Sequence, residues 1–274
     1  MEHNLKKMYC KICNSQTQII FNKLVLNKYN VNYFQCNSCN FIQTEDPYWL
    51  NEAYQNVITS LDIGLISRNL YLLENIPPVI DKCFPESSTM LDYGGGYGIF
   101  VRMMRDKGYQ FFRQDIYCEN LFAKYFDITE NPDLKIDIVT AFEVFEHLSD
   151  PLIEIEKMLA YSDNIIFSTL LIPQNVNELK NWWYITPQTG QHIAFYSIQS
   201  LQLIAVKYQL NFYSNNQNLH FFSKRKIENK IIQEIFYPQK TILDRIVNKF
   251  KKRVKSRPSL LQKDYDFILE KLNK

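Results

Sequence analysis

The chain has 274 residues, 46% of them hydrophobic and 22% charged. That is too apolar for a disordered chain, and the length allows one large domain or two modest ones. The 31 basic and 29 acidic residues are unevenly spread: residues 1–223 hold 16 basic and 23 acidic, residues 224–257 hold 12 and 3. An acidic body disfavours a phosphate-tracking surface, and the basic tail reads as an attachment element rather than part of the core. No apolar run of about 18 residues occurs, so no spanning helix is expected. The start, MEHNLKKMYCKIC, has no apolar h-region, which makes a cytoplasmic location the default expectation.

Residues 1–45 form a first unit. Cys10-x2-Cys13 and Cys36-x2-Cys39 lie 22 residues apart, with strand-like stretches at 18–22 and 32–35 between them. Two knuckles of this kind supply four thiolates to one tetrahedral site, which suits a structural Zn²⁺. Cys83 and Cys118 have no partner at useful spacing and read as small core residues. Residues 46–85 carry helical stripes, the first through Leu50, Ala53, Tyr54, Val57, Ile58 and Leu61. The second runs from Leu65 to Ile76, where Pro77-Pro78 is expected to break it.

Residues 86–223 alternate strand and helix. Strands are expected at 89–93, 111–117, 136–142 and 164–171, and helices at 97–107, from Asp150-Pro151 to about 161, and 197–208. Segments 210–214 and 219–223 flank a polar turn and predict a hairpin. The pattern predicts an α/β fold: a Rossmann-like, mostly parallel sheet with an antiparallel closing strand. Residues 224–274 form a basic helical tail. The amphipathic stretch 241–254 is read as a surface helix, or as one that docks on an acidic membrane or partner.

Only seven glycines occur, and four of them are Gly94, Gly95, Gly96 and Gly98. They follow a buried strand and open a helix, where the backbone must turn sharply and approach a ligand. Asp92 ends that strand. Asp115 ends the next, 23 residues later, where an acid accepts hydrogen bonds from the ribose hydroxyls of an adenosine. A dinucleotide fingerprint needs glycine where Ile99 stands, and Asp92 would repel a pyrophosphate. It suits a ligand carrying an ammonium and a sulfonium.

LDYGGGYGIF resembles the first motif of class I S-adenosylmethionine-dependent methyltransferases. Asp115 matches their ribose-binding acid, IDIVTAFEVFEHLSDP their fourth-strand motif and IIFSTLLIP their fifth strand, over about residues 88–223. The knuckle pair, PYWLNEAY with DIGLISRN, and WWYITPQTGQHIAFYS resemble a bacterial subset associated with sugar and surface-polysaccharide modification. The resemblance implies a seven-stranded sheet. It also implies that the four glycines wrap the methionine part, with Asp92 near its ammonium, Asp115 on the ribose and Ile116 near the adenine. Ala141, Phe142 and Glu143 would line the methionine side. Tyr54 and Arg68 would close over the carboxylate, or serve as a core aromatic and a solvated cation.

Methyl transfer needs an aligned acceptor and a group to take its proton. Of four histidines, His3 lies in the terminus and His220 in the last strand pair, so both read as structural. His192, in the loop after Trp182-Trp183-Tyr184, is the favoured base, with His147 second and Glu143 beside it. Glu143, Glu146, His147 and His192 also resemble the metal-binding set of some O-methyltransferases for small RNA and quinone precursors. That set implies Mg²⁺ chelating a vicinal diol. Trp182, Trp183, Tyr184, Phe195 and Trp49 offer rings to the apolar face of a sugar.

The expected activity is therefore O-methylation of a sugar hydroxyl, on a nucleotide-linked sugar or a capsule or lipopolysaccharide glycan. The tail would dock on the inner membrane face or a partner enzyme. One alternative is a zinc-ribbon nucleic-acid-binding protein or RNA methyltransferase, which the acidic body disfavours. Another is an NAD-dependent sugar oxidoreductase, which lacks both the third fingerprint glycine and a Tyr-x-x-x-Lys pair.

Overall fold

The computed structural model describes residues 8–55, 57–173, 175–238 and 257–272. In chain order these form β1 (Thr17–Val25), β2 (Tyr29–Cys36), β3 (Ile42–Thr44), α1 (Leu50–Ala53), α2 (Leu65–Cys83), β4 (Thr89–Tyr93), α3 (Ile99–Asp106), β5 (Gln110–Gln114), β6 (Ile138–Phe142) and α4 (Pro151–Leu159). There follow β7 (Asn164–Ser168), α5 (Val176–Leu179), β8 (Ala194–Phe195), α6 (Ile198–Lys207), β9 (Asn211–Ser214), β10 (Leu219–Ser223), α7 (Asn229–Phe236) and α8 (Leu261–Leu272). The chain divides into two compact units, Met1–Asp62 with Ala141–Arg225 and Ile63–Thr140 with Lys226–Lys274. Among the described residues no helix is long and apolar enough to cross a membrane.

The first unit contains an antiparallel sheet in the order β1-β2-β3-β8. Val31 and Tyr33 alternate inward along β2, as a half-buried strand requires. They join Phe21, Ile42, Trp49, Tyr184 and Phe195 in one core. The cysteine unit is thus not self-contained, because β3 pairs with β8 from the far end of the chain, Ile42 with Phe195 and Gln43 with Ala194. The same unit holds the predicted hairpin, with β10 antiparallel to β9 and to β7. Asp150 caps α4 through Ile153 N–H, with Pro151 in its first turn, and Ser197 with Ser200 closes a capping box on α6.

In the second unit β4 lies between β5 and β6 in parallel register, Asp92 opposite Arg113 and Thr140. Among the described residues the sheet that holds them has six strands, against the seven expected.

Two expectations fail here. Helix α2 runs through Pro77 and Pro78 to Cys83. Pro77 has no N–H to give the Leu73 carbonyl, but Lys107 Nζ donates to that oxygen at 3.0 Å, and Ile76, Val79, Ile80 and Cys83 are buried. The tail's last part is also no loose attachment. Asp264 in α8 takes both Arg105 Nε and Nη2, at 2.8 and 2.7 Å, with both side chains buried. Phe267 packs on Phe126. The stretch 241–254 and His3 lie outside the described residues.

Candidate functional site

In the second unit the glycine loop leaves β4 and enters α3. Gly94 and Gly95 N–H both donate to the Gln114 carbonyl. A Cβ on Gly95 would stand 2.9 Å from Asp92 Oδ2, so any side chain there would push the acid aside. Gly98, at φ +83, would drive a Cβ to 2.9 Å from Ala123 Cβ. Asp92 is 4% exposed and accepts from the Thr140 hydroxyl at 2.7 Å. Burial pushes its carboxyl up to about 7, with Thr140 pulling the other way.

Asp115 is held by backbone. Gly96 N–H donates to Oδ2 at 2.9 Å, and the Tyr117 and Cys118 N–H groups donate to Oδ1 at 2.8 Å each. The acid expected on the ribose thus also ties the glycine loop to the turn after β5. Ile116, expected near the adenine, is 76% exposed. Arg68 lies half-buried in the first turn of α2.

Arg113 was not anticipated. It is 2% exposed; Nε donates to Gly96 O at 2.6 Å, Nη1 to Asp127 at 2.6 Å, and Nη2 to Cys118 O. One guanidinium joins the glycine loop, the Asp115 turn and the Asp127 carboxylate, a task for a planar fork of donors. Its signal in the sequence was a lone cation inside the apolar strand FFRQ.

In the first unit, Glu146, His147 and His192 come together, with one ligating atom of each lying within 4.8 Å of the others. Glu146 is fully buried, and the two imidazoles are half-buried. His147 Nδ1 lies 3.1 Å from the Gln191 carbonyl, and His192 Nδ1 bonds the Tyr184 carbonyl. A carbonyl only accepts, so His192 Nδ1 carries the proton and its Nε2 is the basic nitrogen. Tyr54 Oη is 3.1 Å from His147 Nδ1. Tyr54, read as a cofactor contact or a core aromatic, thus stands beside an imidazole.

Glu143 stands outside this metal-type group. It ends β6 at φ 54, in the left-handed region. Ser168 clamps it there: Glu143 N–H donates to Ser168 Oγ at 2.9 Å, and the Ser168 hydroxyl donates to Glu143 Oε1 at 2.7 Å. Phe142 is half-buried beside it.

The aromatic platform is corrected. Trp49, Tyr184 and Phe195 are at most 2% exposed, because they fill the core under the four-stranded sheet. Trp49 Nε1 donates to Gly190 O. Only Trp183, 71% exposed, offers an open face, with Trp182 half-buried. His220 is buried and held near a pKa of 4 by burial. It bonds Ser214 Oγ and Thr169 O, in keeping with a structural role.

The four cysteines fit a zinc ion. The Sγ–Sγ separations given by Cys10–Cys39, Cys13–Cys36 and Cys13–Cys39 are 3.6, 3.4 and 3.6 Å. Zn–S bonds of about 2.3 Å in a tetrahedron need edges of about 3.75 Å. Ile12 N–H points at Cys10 Sγ, and Ser38 and Cys39 N–H at Cys36 Sγ, donors that stabilise thiolate. Chiefly through the adjoining Cys39 thiol, Cys10 is pulled down to about 5.

Residues 67–215, more than half of the chain, match the family described as "Methyltransferase domain". A nucleoside-type glycine loop followed by an acid at the next strand end agrees with that match. The chain belongs to this family. Among solved structures it is similar to the plantazolicin methyltransferase BpumL in complex with SAH, at 14% identity and a TM-score of 0.41, covering 64% of this chain and 89% of that one. It is similar also to an O-methyltransferase family 2 protein from Planctomyces limnophilus in complex with apigenin (13%, TM-score 0.43, 64% and 65%). A third is the magnesium protoporphyrin IX methyltransferase from Synechocystis with bound SAH (11%, TM-score 0.39, 64% and 94%). No curated protein matches the sequence.

Proposed function

We propose that the chain moves the methyl group of S-adenosylmethionine onto a sugar hydroxyl, on a nucleotide-linked sugar or a growing surface glycan. The observation that carries this reading is the imidazole pair. His192 has its Nδ1 proton committed to the Tyr184 carbonyl and so keeps Nε2 as a proton acceptor, and the His147 ring lies 4.9 Å from its ring, centre to centre. In the reaction the acceptor oxygen attacks the methyl carbon in line, the C–S bond breaks to leave a thioether, and the hydroxyl proton passes to Nε2 of His192. His147 is the second such group. Gly94, Gly95, Gly96, Gly98, Asp92 and Asp115 hold the donor, with Ile116, Phe142, Tyr54 and Arg68 as further contacts. Trp183 offers an open ring to the acceptor's C–H face. The basic stretch 224–257 docks the enzyme on acidic lipid or a partner enzyme of glycan assembly.

The test is a methyl-transfer screen over nucleotide-sugars with labelled donor, beside calorimetric titration with S-adenosylhomocysteine. His192→Ala is expected to keep donor-product affinity and lose about 100- to 10,000-fold in turnover. Undiminished turnover would remove His192 from this role, and binding of NAD in place of S-adenosylhomocysteine would defeat the whole reading.

A second reading is favoured by the closeness of Glu146, His147 and His192. Two imidazoles and a carboxylate suit a divalent ion that binds an acceptor diol and eases its deprotonation, and imidazole shifts the preference from Mg²⁺ toward transition metals. Turnover lost on chelation mild enough to leave the cysteine zinc in place, and restored by Mn²⁺, supports it; full turnover in chelator excludes it.

A further inference from the structure

Gln43 is a polar side chain only 2% exposed, sited in β3. Its Nε2 donates to Tyr9 O at 3.0 Å, and its Oε1 accepts from Lys11 N–H at 2.9 Å. These are the residues on either side of Cys10, so one buried carboxamide is spliced into the first knuckle as if it were a strand neighbour. The backbone of the same residue faces Ala194 in β8. Next to it Thr44 N–H donates to Ile193 O at 3.1 Å, and Ile193 N–H donates to Glu146 O at 2.8 Å. The second knuckle grips the same stretch from its other end, because the Ser197 hydroxyl donates to Cys39 O at 2.6 Å. His192 stands immediately before this stapled stretch, and the His147 ring bonds the carbonyl of Gln191.

We infer that the four-cysteine unit is a positioning device for the imidazole pair and that Gln43 is its coupling residue. This rests on the reading that His147 and His192 serve the acceptor.

The physical reason is that a short strand is held through a side chain. The β3–β8 ladder has only two residue pairs, so it has little stability of its own. The knuckle keeps its shape only while four thiolates share an ion. The two bonds of the Gln43 carboxamide tie β3 to that knuckle, so the tie is lost when the knuckle loosens or when the carboxamide is removed. Loss of the tie opens the ladder and releases Ile193 from Glu146. A metal ion bound at the cysteines thereby sets the geometry of two histidines that are not its ligands.

The experiment compares the zinc-loaded full chain, the same chain stripped by chelator, and a zinc-loaded Gln43→Ala variant. The readouts are amide hydrogen exchange over 191–196, long-range ¹H–¹⁵N spectra of the imidazole nitrogens, and S-adenosylhomocysteine affinity. Stripping and Gln43→Ala are each expected to speed exchange at Ile193 by about ten-fold or more and to blur the Nδ1–H tautomer signature. Affinity for S-adenosylhomocysteine should change less than exchange does, because Asp92, the four glycines and Asp115 lie in the second unit and only Tyr54 and Phe142 of the proposed donor contacts lie in the first. If the stripped chain unfolds outright, Gln43→Ala decides, since it keeps all four cysteines. Unchanged exchange and unchanged imidazole spectra in a folded Gln43→Ala protein overturn the proposal. Failure of the wild-type chain to bind S-adenosylhomocysteine would count against the methyltransferase reading and leave these measurements standing.

Discussion

Asp92 and Arg113 are the two single residues on which the proposed donor site depends. Burial raises the Asp92 carboxyl to about 7, well above its ordinary value. An Asp with a raised folded-state pKa contributes stability below its unfolded pKa near 4, and that contribution is lost as pH climbs through 7. An ammonium ligand reverses the preference by favouring the ionised form. Affinity for S-adenosylhomocysteine, followed by calorimetry from pH 5.5 to 8.5, is therefore expected to rise about ten-fold per unit below 7 and then level. Asp92→Asn should remove the slope and raise the melting temperature of the ligand-free chain at pH 8. Arg113 acts through geometry. Arg113→Met strands the Asp127 carboxylate and frees the Gly96 carbonyl, so affinity should fall by about ten-fold or more. Arg113→Lys should recover only part of it, since an ammonium cannot serve three directions in one plane.

At the scale of elements, strands and loops were more legible than contacts. The glycine loop, Asp115 and the β9–β10 hairpin followed from spacing and turn chemistry, which act locally. The continuation of α2 past Pro77 did not, because the Leu73 carbonyl finds its substitute donor in Lys107, 34 residues away. Charge counting likewise misjudged the tail. The basic surplus ends at residue 257, yet 224–274 was drawn as one tail, which missed that Asp264 completes Arg105, whose guanidinium also lies 3.6 Å from the Phe126 ring centre. Asp264→Ala leaves that cation buried without its carboxylate and should lower the unfolding free energy by about 3–5 kcal/mol in urea titration. A loss below about 1 kcal/mol would mean that α8 contributes little to the second unit.

At the scale of the whole molecule, the sequence resolved two chemical centres, a cysteine cluster and a nucleoside loop, and read the cysteine unit as separable. Its strand β3 belongs instead to a sheet completed by residues 194–195, about 150 positions later. No local pattern reports that pairing, and β8 is too short for periodicity to show it. For the same reason Tyr184 and Phe195 looked like part of a surface platform when they are core. Metal analysis is expected to find one zinc per chain held by Cys10, Cys13, Cys36 and Cys39. Cys10→Ser should release it and destabilise the first unit, read as a lowered melting temperature that added zinc does not restore.

Glu143 keeps a backbone angle that glycine would adopt with less strain, and Ser168 is occupied in holding it there. Glycine at 143 would relax that angle but leave the Ser168 hydroxyl without the oxygen it grips, so the bend after β6 and the tip of β7 are set jointly by one strained residue and its partner.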